Sequence, residues 1–317
     1  MPQIHTITLN PVIDLVFEVD QFDKGTTFRS DEYKMIPAGK GLNVSNALAC
    51  LDEPSHSYVM IGEKDLDLFE EICSKRNIEC HAFPGNFQTR RHCTILESKA
   101  GSTTHVQIKG EVVPLEPLRE LIENFSKTIQ LGDWAAFSGS VPPGIPDSIY
   151  ADMIVLCKSR GVKTLLDASG DPLRQAAMAT PDLIKLNQVE AEELTGIPVH
   201  DKNDALTAIQ RIREEFEIPL IALSLGEEGL AVGLEDDVLH LVITMSDAEV
   251  KDTVGCGDAM VGGILYGILR ETGAETLFRY AIACASAAAL HAGPAQFKRS
   301  DMDSMLSRLE VSSCSIY

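Results

Sequence analysis

Across 317 residues the chain carries 27 Lys and Arg against 47 Asp and Glu, a net charge of −20, with 44% apolar and 23% charged residues. That composition excludes a disordered chain, and with no apolar run near the ~18 residues needed to cross a bilayer it excludes a helical membrane protein. The charge argues against nucleic acid and anionic membranes as partners, so an anionic ligand needs a local positive site.

The length fits one large α/β domain or two ordinary ones. The opening "MPQIHTITLN" lacks the basic, apolar and small-residue succession of a secretory signal, which makes the cytoplasm the expected location. Eight cysteines, at positions 50, 73, 80, 93, 157, 256, 284 and 314, show no CxxC pair and no Cys/His cluster at zinc spacing. Reduced thiols filling the core are the expectation.

In chain order, "IHTITLN" reads as a first strand and "IDLVFEVDQF", after Pro11, as a second apolar alternation. Residues 14–37 and 86–113 both alternate like half-exposed strands, "TRRHCTILESKAGSTTHVQI" being the clearer, and are expected to pair into one small sheet acting as a lid. Between them "PAGKGLNVSNALACL" is a glycine turn opening an apolar helix. From residue 114 the rhythm is regular: helix "PLRELIENFSKTIQ", strand "WAAFSGS", helix "IPDSIYADMIVLCKSRG", strand "KTLLDAS" and strand "LIKLN". Then come a helix from "EAEELTG", helix "DALTAIQRIREEFEI", strands "LIALSLG" and "GLAVGL", and the helical "FRYAIACASAAALHAG". Strands alternating with helices imply a mainly parallel sheet covered on both faces, an α/β class fold. The expected core is residues 1–13, 38–85 and 114–317, and the expected lid is 14–37 and 86–113.

The chemistry concentrates in "DTVGCGDAMVGGILYGILR". Apolar positions after Asp258 recur at helical spacing, which puts Gly255, Cys256 and Gly257 in the turn before a helix. Glycines let the backbone approach a ligand, and successive N–H groups at a helix N-terminus suit a phosphate. An acid beside such an anion hole makes sense if it takes a proton from an attacking hydroxyl. Equally, Asp258 fits a helix cap and the glycines a tight turn, and spacing does not choose. The "PAGKGLNVS" turn is not a Walker loop, since GxxxxGK[ST] is absent from the chain.

Together "AGKGLNVS" and "DTVGCGD" resemble the two signatures of the ribokinase-like (PfkB) carbohydrate kinase family. "TLNPVIDLVFEV", "TRRHCTI", "FSGSVPPGIP", "LDASGDPLR", "LIKLNQVEAEELTG" and "LSLGEEG" extend the resemblance over nearly the whole chain, in the right order, toward the phosphosugar branch. It implies a three-layer α/β/α core and an ATP- and Mg²⁺-dependent kinase, with Asp258 as base and the backbone of Gly255, Cys256 and Gly257 as anion hole. It further implies Asp14, Gly39, Lys40, Asn43 and Ser138 at the sugar, and Arg90 clamping the phosphate already on the substrate. Lys24, Arg29 and Arg91 are candidates for added charge. Lys185, Asn187, Ser224, Gly226 and Gly229 fall to the nucleotide, and Glu190 to Mg²⁺ held largely through water.

The substrate so implied is a ketohexose phosphate, fructose 1-phosphate first, with tagatose 6-phosphate or fructose 6-phosphate next, and the implied assembly is a homodimer through the lid. The alternatives are a kinase of an unphosphorylated sugar or nucleoside and a catalytically silent sugar-phosphate sensor. Intact Asp258, Asn187 and Glu190 argue against the sensor. The chain departs from the family's pattern at Cys256, where Ala is usual, at His92, where Asn is usual, and in "QIKGEVVP". A thiolate at Cys256 held by the helix end would be reactive, whereas a buried thiol there would be inert.

Overall fold

The computed structural model describes residues 2–29, 33–99, 101–234 and 237–314. Residues 30–32 of the first expected lid segment and the side chain of Cys314 lie outside the described residues. Fourteen strands are described: β1 (Ile4–Thr8), β2 (Val12–Val19), β3 (Lys34–Ala38), β4 (His56–Gly62), β5 (Glu79–Gly85), β6 (Arg90–Glu97), β7 (Ser102–Val106), β8 (Trp134–Ser138), β9 (Lys163–Asp167), β10 (Leu183–Asn187), β11 (Leu220–Ser224), β12 (Leu230–Gly233), β13 (Val238–Ile243) and β14 (Leu309–Cys314). The helices are α1 (Lys40–Ala49), α2 (Leu66–Lys75), α3 (Leu115–Thr128), α4 (Ile149–Ser159), α5 (Gly170–Met178), α6 (Gln188–Thr195), α7 (Lys202–Phe216), α8 (Cys256–Leu269), α9 (Ala274–Ala289) and α10 (Arg299–Ser307).

Ten strands form one sheet in the order β14-β13-β12-β11-β10-β9-β8-β1-β4-β5. From β11 through β5 the pairings are parallel, and strands such as Ile4–Thr8 and Trp134–Ser138 are buried at every residue, as a sheet covered on both faces requires. One apolar cluster joins α3 to α7 to one face, and another joins α1, α8, α9 and α10 to the other. The α/β/α layering is thus as expected. The β12–β14 edge is instead antiparallel, and β14, which comes from the chain end after α10, has no counterpart among the expected elements. The short turn between β11 and β12 leaves room for a hairpin but not for the crossover a parallel pair needs.

The second sheet has the order β3-β2-β6-β7, with β2 and β6 parallel although some 70 residues separate them. The register pairs Val12 with Arg90, Asp14 with His92 and Val16 with Thr94, so these six side chains share one face. Ile13, on the other face, is anchored in an apolar cluster with Leu42, Val59 and Phe69 of the core. Among the described residues no helix is long and apolar enough to cross a membrane.

Helix α8 lies between α1 and α9 at backbone-contact distance. A Cβ on Gly262 would stand 2.5 Å from Ala47 Cβ, and one on Gly263 would stand 2.5 Å from the Tyr280 carbonyl oxygen. The second contact is with backbone, which cannot swing aside. Gly263→Ala is therefore expected to cost about 1–3 kcal/mol by overpacking, read from the urea midpoint; an unchanged midpoint would contradict this packing.

Candidate active site

The parallel sheet reverses its strand order at β1, with β4 on one side and β8 on the other. The carboxyl ends of strands beside such a reversal leave a crevice for ligands. Thr8, Ser138, Asp167 and Asn187 end β1, β8, β9 and β10 there, and the small sheet reaches the adjoining cavity through Arg90 and His92, with Asp14 the register partner of His92 but not in the cavity wall.

Two helices begin at this crevice. Gly39 has a φ of 153°, and a Cβ on it would stand 2.5 Å from Thr8 Cγ2, while a Cβ on Gly41 would stand 2.4 Å from the Ile7 carbonyl oxygen. Glycine at both positions lets α1 start directly against the end of β1, carrying Lys40 and Asn43 into the crevice. At α8 the N-cap is Gly255, in the left-handed region with a φ of 81°. Cys256 and Gly257 are therefore the first helical residues rather than part of a preceding turn, because the left-handed residue ends the turn one position earlier than the spacing suggests. Asp258 does not cap the helix. Its Oδ2 accepts a 2.7 Å hydrogen bond from Asn43 Nδ2, joining α8 to α1 across 215 residues of sequence.

Electrostatics in the crevice turn on Asp167, which has no solvent exposure. Its Oδ1 accepts from Lys40 Nζ at 3.1 Å and from Lys185 Nζ at 3.3 Å, and Lys40 Nζ also lies 3.7 Å from Glu190 Oε1. Burial alone would raise the Asp167 carboxyl, but Lys185 and Lys40 hold it below the usual range. Burial likewise opposes the charge on Lys40, and Asp167, Asp258 and Glu190 together push it above the ordinary lysine value. Asp258 goes the other way. Burial, helped by the negative charge of Asp167, outweighs Lys40, Asn43 and Lys185 and pushes it up to about 6. A Cβ on Gly257 would stand 2.9 Å from Lys185 Nζ, so this glycine keeps the ammonium against the first turn of α8.

Beside this network is a cavity of about 520 Å³, lined among others by Asn10, Lys40, Arg90, His92, Lys109 and Ser138. Arg90 donates to the carbonyl oxygens of Asn10 at 2.8 Å and Pro11 at 3.3 Å, which fixes its guanidinium at the cavity wall. Thr8 Oγ1, His92 Nε2 and Ser138 Oγ are buried without partners among the described residues. Burial and the adjacent Arg90 lower the His92 pKa, so the ring is neutral near pH 7. Asp14 accepts from Thr94 Oγ1 at 2.7 and 2.9 Å, and that hydroxyl also lies 3.0 Å from His105 Nδ1.

Of the further cations, Arg91 is turned away. It pairs with Asp65 at 2.7 Å and donates to the Thr89 carbonyl, since neighbours along a strand face opposite sides. Lys24 and Arg29 are exposed and do not line the cavity.

Of the residues expected at the nucleotide and Mg²⁺, Asn187 and Glu190 form a capping box at α6: Asn187 Oδ1 accepts from the Glu190 N–H and Glu190 Oε2 from the Asn187 N–H, both at 2.9 Å. Ser224 pairs in register with Asn187 and donates to the Leu186 carbonyl at 3.2 Å. Gly226 has a φ of 61°, and at Gly229 (φ 96°) a Cβ would stand 2.2 Å from the Leu241 carbonyl oxygen, so the hairpin itself demands glycine there. Sequence reasoning did not single out Asp167, Thr8, Asn10 and Lys109, which the structure brings to the ion-pair network and the cavity wall. The available signals were an acid ending the apolar strand "KTLLD" and the departure "QIKGEVVP", which places Lys109 in the cavity wall.

The profile of the pfkB family carbohydrate kinases matches residues 7–300. The chain belongs to that family. As a pfkB kinase it is a phosphotransferase with a hydroxyl acceptor. It is 30% identical over 275 residues to a 1-phosphofructokinase of Xanthomonas campestris, covering 85% of each chain, and 29% identical over 310 residues to a tagatose-6-phosphate kinase of Staphylococcus epidermidis, covering 97% of this chain and 99% of that one. Its fold matches phosphofructokinase-2 from Escherichia coli with a TM-score of 0.90 at 24% identity, covering 97% and 99% of the two chains. A ribokinase of Arabidopsis thaliana has the same fold, with a TM-score of 0.72 at 19% identity and coverage of 96% and 98%.

At Cys256 the structure favours the inert thiol. Sγ lies 3.8 Å from the Asp252 carbonyl oxygen, the side chain packs against the α8/α9 apolar cluster, and burial with Asp252 and Asp258 pushes the thiol up to about 12. In the native protein at neutral pH, Cys256 is expected to escape alkylation whether or not ATP is present, as read by mass spectrometry of partly modified protein. A label on Cys256 that ATP suppresses would contradict this.

Proposed function

We propose that this kinase transfers the γ-phosphoryl group of ATP to a ketohexose phosphate, fructose 1-phosphate first, giving fructose 1,6-bisphosphate, with tagatose 6-phosphate or fructose 6-phosphate next. The observation that carries the reading is the buried Asp258 carboxyl, held by Asn43 at the N-terminus of α8 and within reach of the charge of Lys40, which itself walls a cavity together with Arg90 and Lys109. A chain of net charge −20 that assembles cations at one cavity is built for an anionic ligand there.

In this mechanism Asp258 takes the proton of the acceptor hydroxyl as its oxygen attacks the γ-phosphorus, and ADP leaves with the bond electrons. The backbone N–H groups of Gly255, Cys256 and Gly257 hold the charge on the transferring oxygens, with Lys40 and Lys185 beside them. Arg90, assisted by Lys109, holds the phosphate the substrate already carries, and a planar fork suits that task. Asp14 and Ser138 bind sugar hydroxyls, with Gly39 and Asn43 shaping that subsite. Asn187, Ser224, Gly226 and Gly229 bind the nucleotide.

Asp167 and Glu190 flank Lys40 with hard oxygen donors of the kind Mg²⁺ takes, and Asp167 Oδ2 is buried without a partner among the described residues, so the donor set fits that ion. Glu190 would hold Mg²⁺ largely through water, with Asp167 behind it. When bound, the ion supplies neutralisation of the nucleotide phosphates.

Residues 14–37 and 86–113 serve as a lid on the core formed by the remainder of the chain. The lid's outer face exposes Tyr33, Met35 and Val106, which supports pairing of two copies there. The phosphofructokinase-2 of Escherichia coli has also been solved in a tetrameric inhibited form.

The test is an ADP-release assay over phosphorylated and free sugars. Turnover is expected with a ketohexose phosphate, and Asp258→Asn is expected to lower kcat by ~10²–10⁴-fold. Arg90→Ala should raise KM for the sugar phosphate far more than for ATP. Equal effects on both substrates, or turnover confined to free sugars, would overturn the choice of substrate class.

A further inference from the structure

The opposite end of the sheet carries a second concentration of chemistry. At the start of β4 and β5, His56 and Glu79 are register partners on adjacent parallel strands, and His81 lies two residues beyond Glu79 on the same face. His56 Nδ1 is 3.3 Å from His81 Nε2 and 3.3 Å from Glu79 Oε2, and His81 Nε2 is 3.5 Å from Glu79 Oε1. We propose that His56, Glu79 and His81 form a binding site for a divalent transition-metal ion of the zinc type.

The spacing fits such an ion. A tetrahedral centre with bonds of ~2.0–2.1 Å to nitrogen and oxygen has edges of about 3.3–3.4 Å. Two imidazoles and one carboxylate are the donor set that zinc takes with water in a fourth position, whereas Mg²⁺ and Ca²⁺ call for oxygen donors throughout. Both rings are held by neighbours: His56 stacks on His5 at 5.0 Å, His5 is anchored by Asp133 at 3.1 Å, and His81 stacks on Tyr58 at 4.5 Å.

The Glu79 side chain is 63% exposed, which gives an ion access from solvent. An ion here would tie the edge strand β5 to β4 at the end of the sheet away from the crevice. The pattern is a histidine followed 23 positions later by Glu-x-His, a separation that only the strand register closes.

The experiment uses the untagged full-length chain, stripped by chelator and titrated with Zn²⁺ against a chromophoric competitor. Co²⁺ serves as a spectroscopic probe of tetrahedral geometry. One ion per chain is expected in the wild type and in a control, His291→Ala, which breaks the separate His291–Asp301 pair. His81→Ala and Glu79→Gln should each weaken Zn²⁺ binding at least tenfold and remove the tetrahedral Co²⁺ bands, while kinase turnover stays unchanged. Glu79→Gln preserves shape at an exposed position, so its loss of binding is not a folding effect. No saturable site in the wild type, or undiminished wild-type affinity in Glu79→Gln and His81→Ala, would overturn the proposal and leave the three side chains as a hydrogen-bonded cluster.

Discussion

A carboxylate without solvent exposure must be paired, and Asp167 is paired with two lysines from different elements. Taking each ion out of water costs roughly several kcal/mol, which is offset only when the geometry is close and the partners are fixed. The other constraints of the crevice follow from that requirement. Lys40 must stand at the start of α1 against β1, hence glycine at positions 39 and 41, and Lys185 must reach past the first turn of α8, hence glycine at 257. The two ammonium groups thereby collect where the aligned N–H groups of α8 also point. On the proposed function, a phosphoryl group held there would meet positive charge already oriented by Asp167, so that little reorganisation would remain for the reaction itself.

The same arrangement sets the two aspartates apart. Asp167 takes the direct contacts with both lysines and stays ionised, while Asp258 receives one hydrogen bond from Asn43 and feels the lysines at longer range together with the charge of Asp167. Two carboxyls in one buried network are thus driven in opposite directions, one toward permanent charge and one toward the range in which a group exchanges protons near neutral pH. The small sheet contributes by register. Parallel pairing of β2 with β6 sets Asp14, Arg90, His92 and Thr94 on the face toward the crevice and leaves Arg91 to pair with Asp65 outside.

Much of the layering was legible because periodicity and burial agree: fully apolar strands such as "WAAFS" have no stable place but the middle of a covered sheet. The pairing of β2 with β6 was legible as two distant half-exposed alternations. The antiparallel edge was not, since β14 comes from the chain end and its place depends on what β13 leaves open. The glycine turns and Asp258 were visible as a motif, but the choice between cap and buried carboxyl needed Asn43, which lies far away in sequence. Asp167 gave little signal, because an acid after an apolar strand commonly begins a solvated turn. The role of Cys256 turned on burial, which no spacing reports.

The central claim is that this network holds Asp258 as a carboxyl whose proton is exchangeable near neutral pH. Titrating isotope-labelled aspartate carboxyl carbons by NMR in the unliganded protein, with Asp258→Asn identifying the resonance, tests it without interference from the ionisation of substrate phosphates. The account predicts an apparent midpoint near pH 6 for Asp258. A midpoint near the ordinary aspartate value of about 3.9 would contradict it.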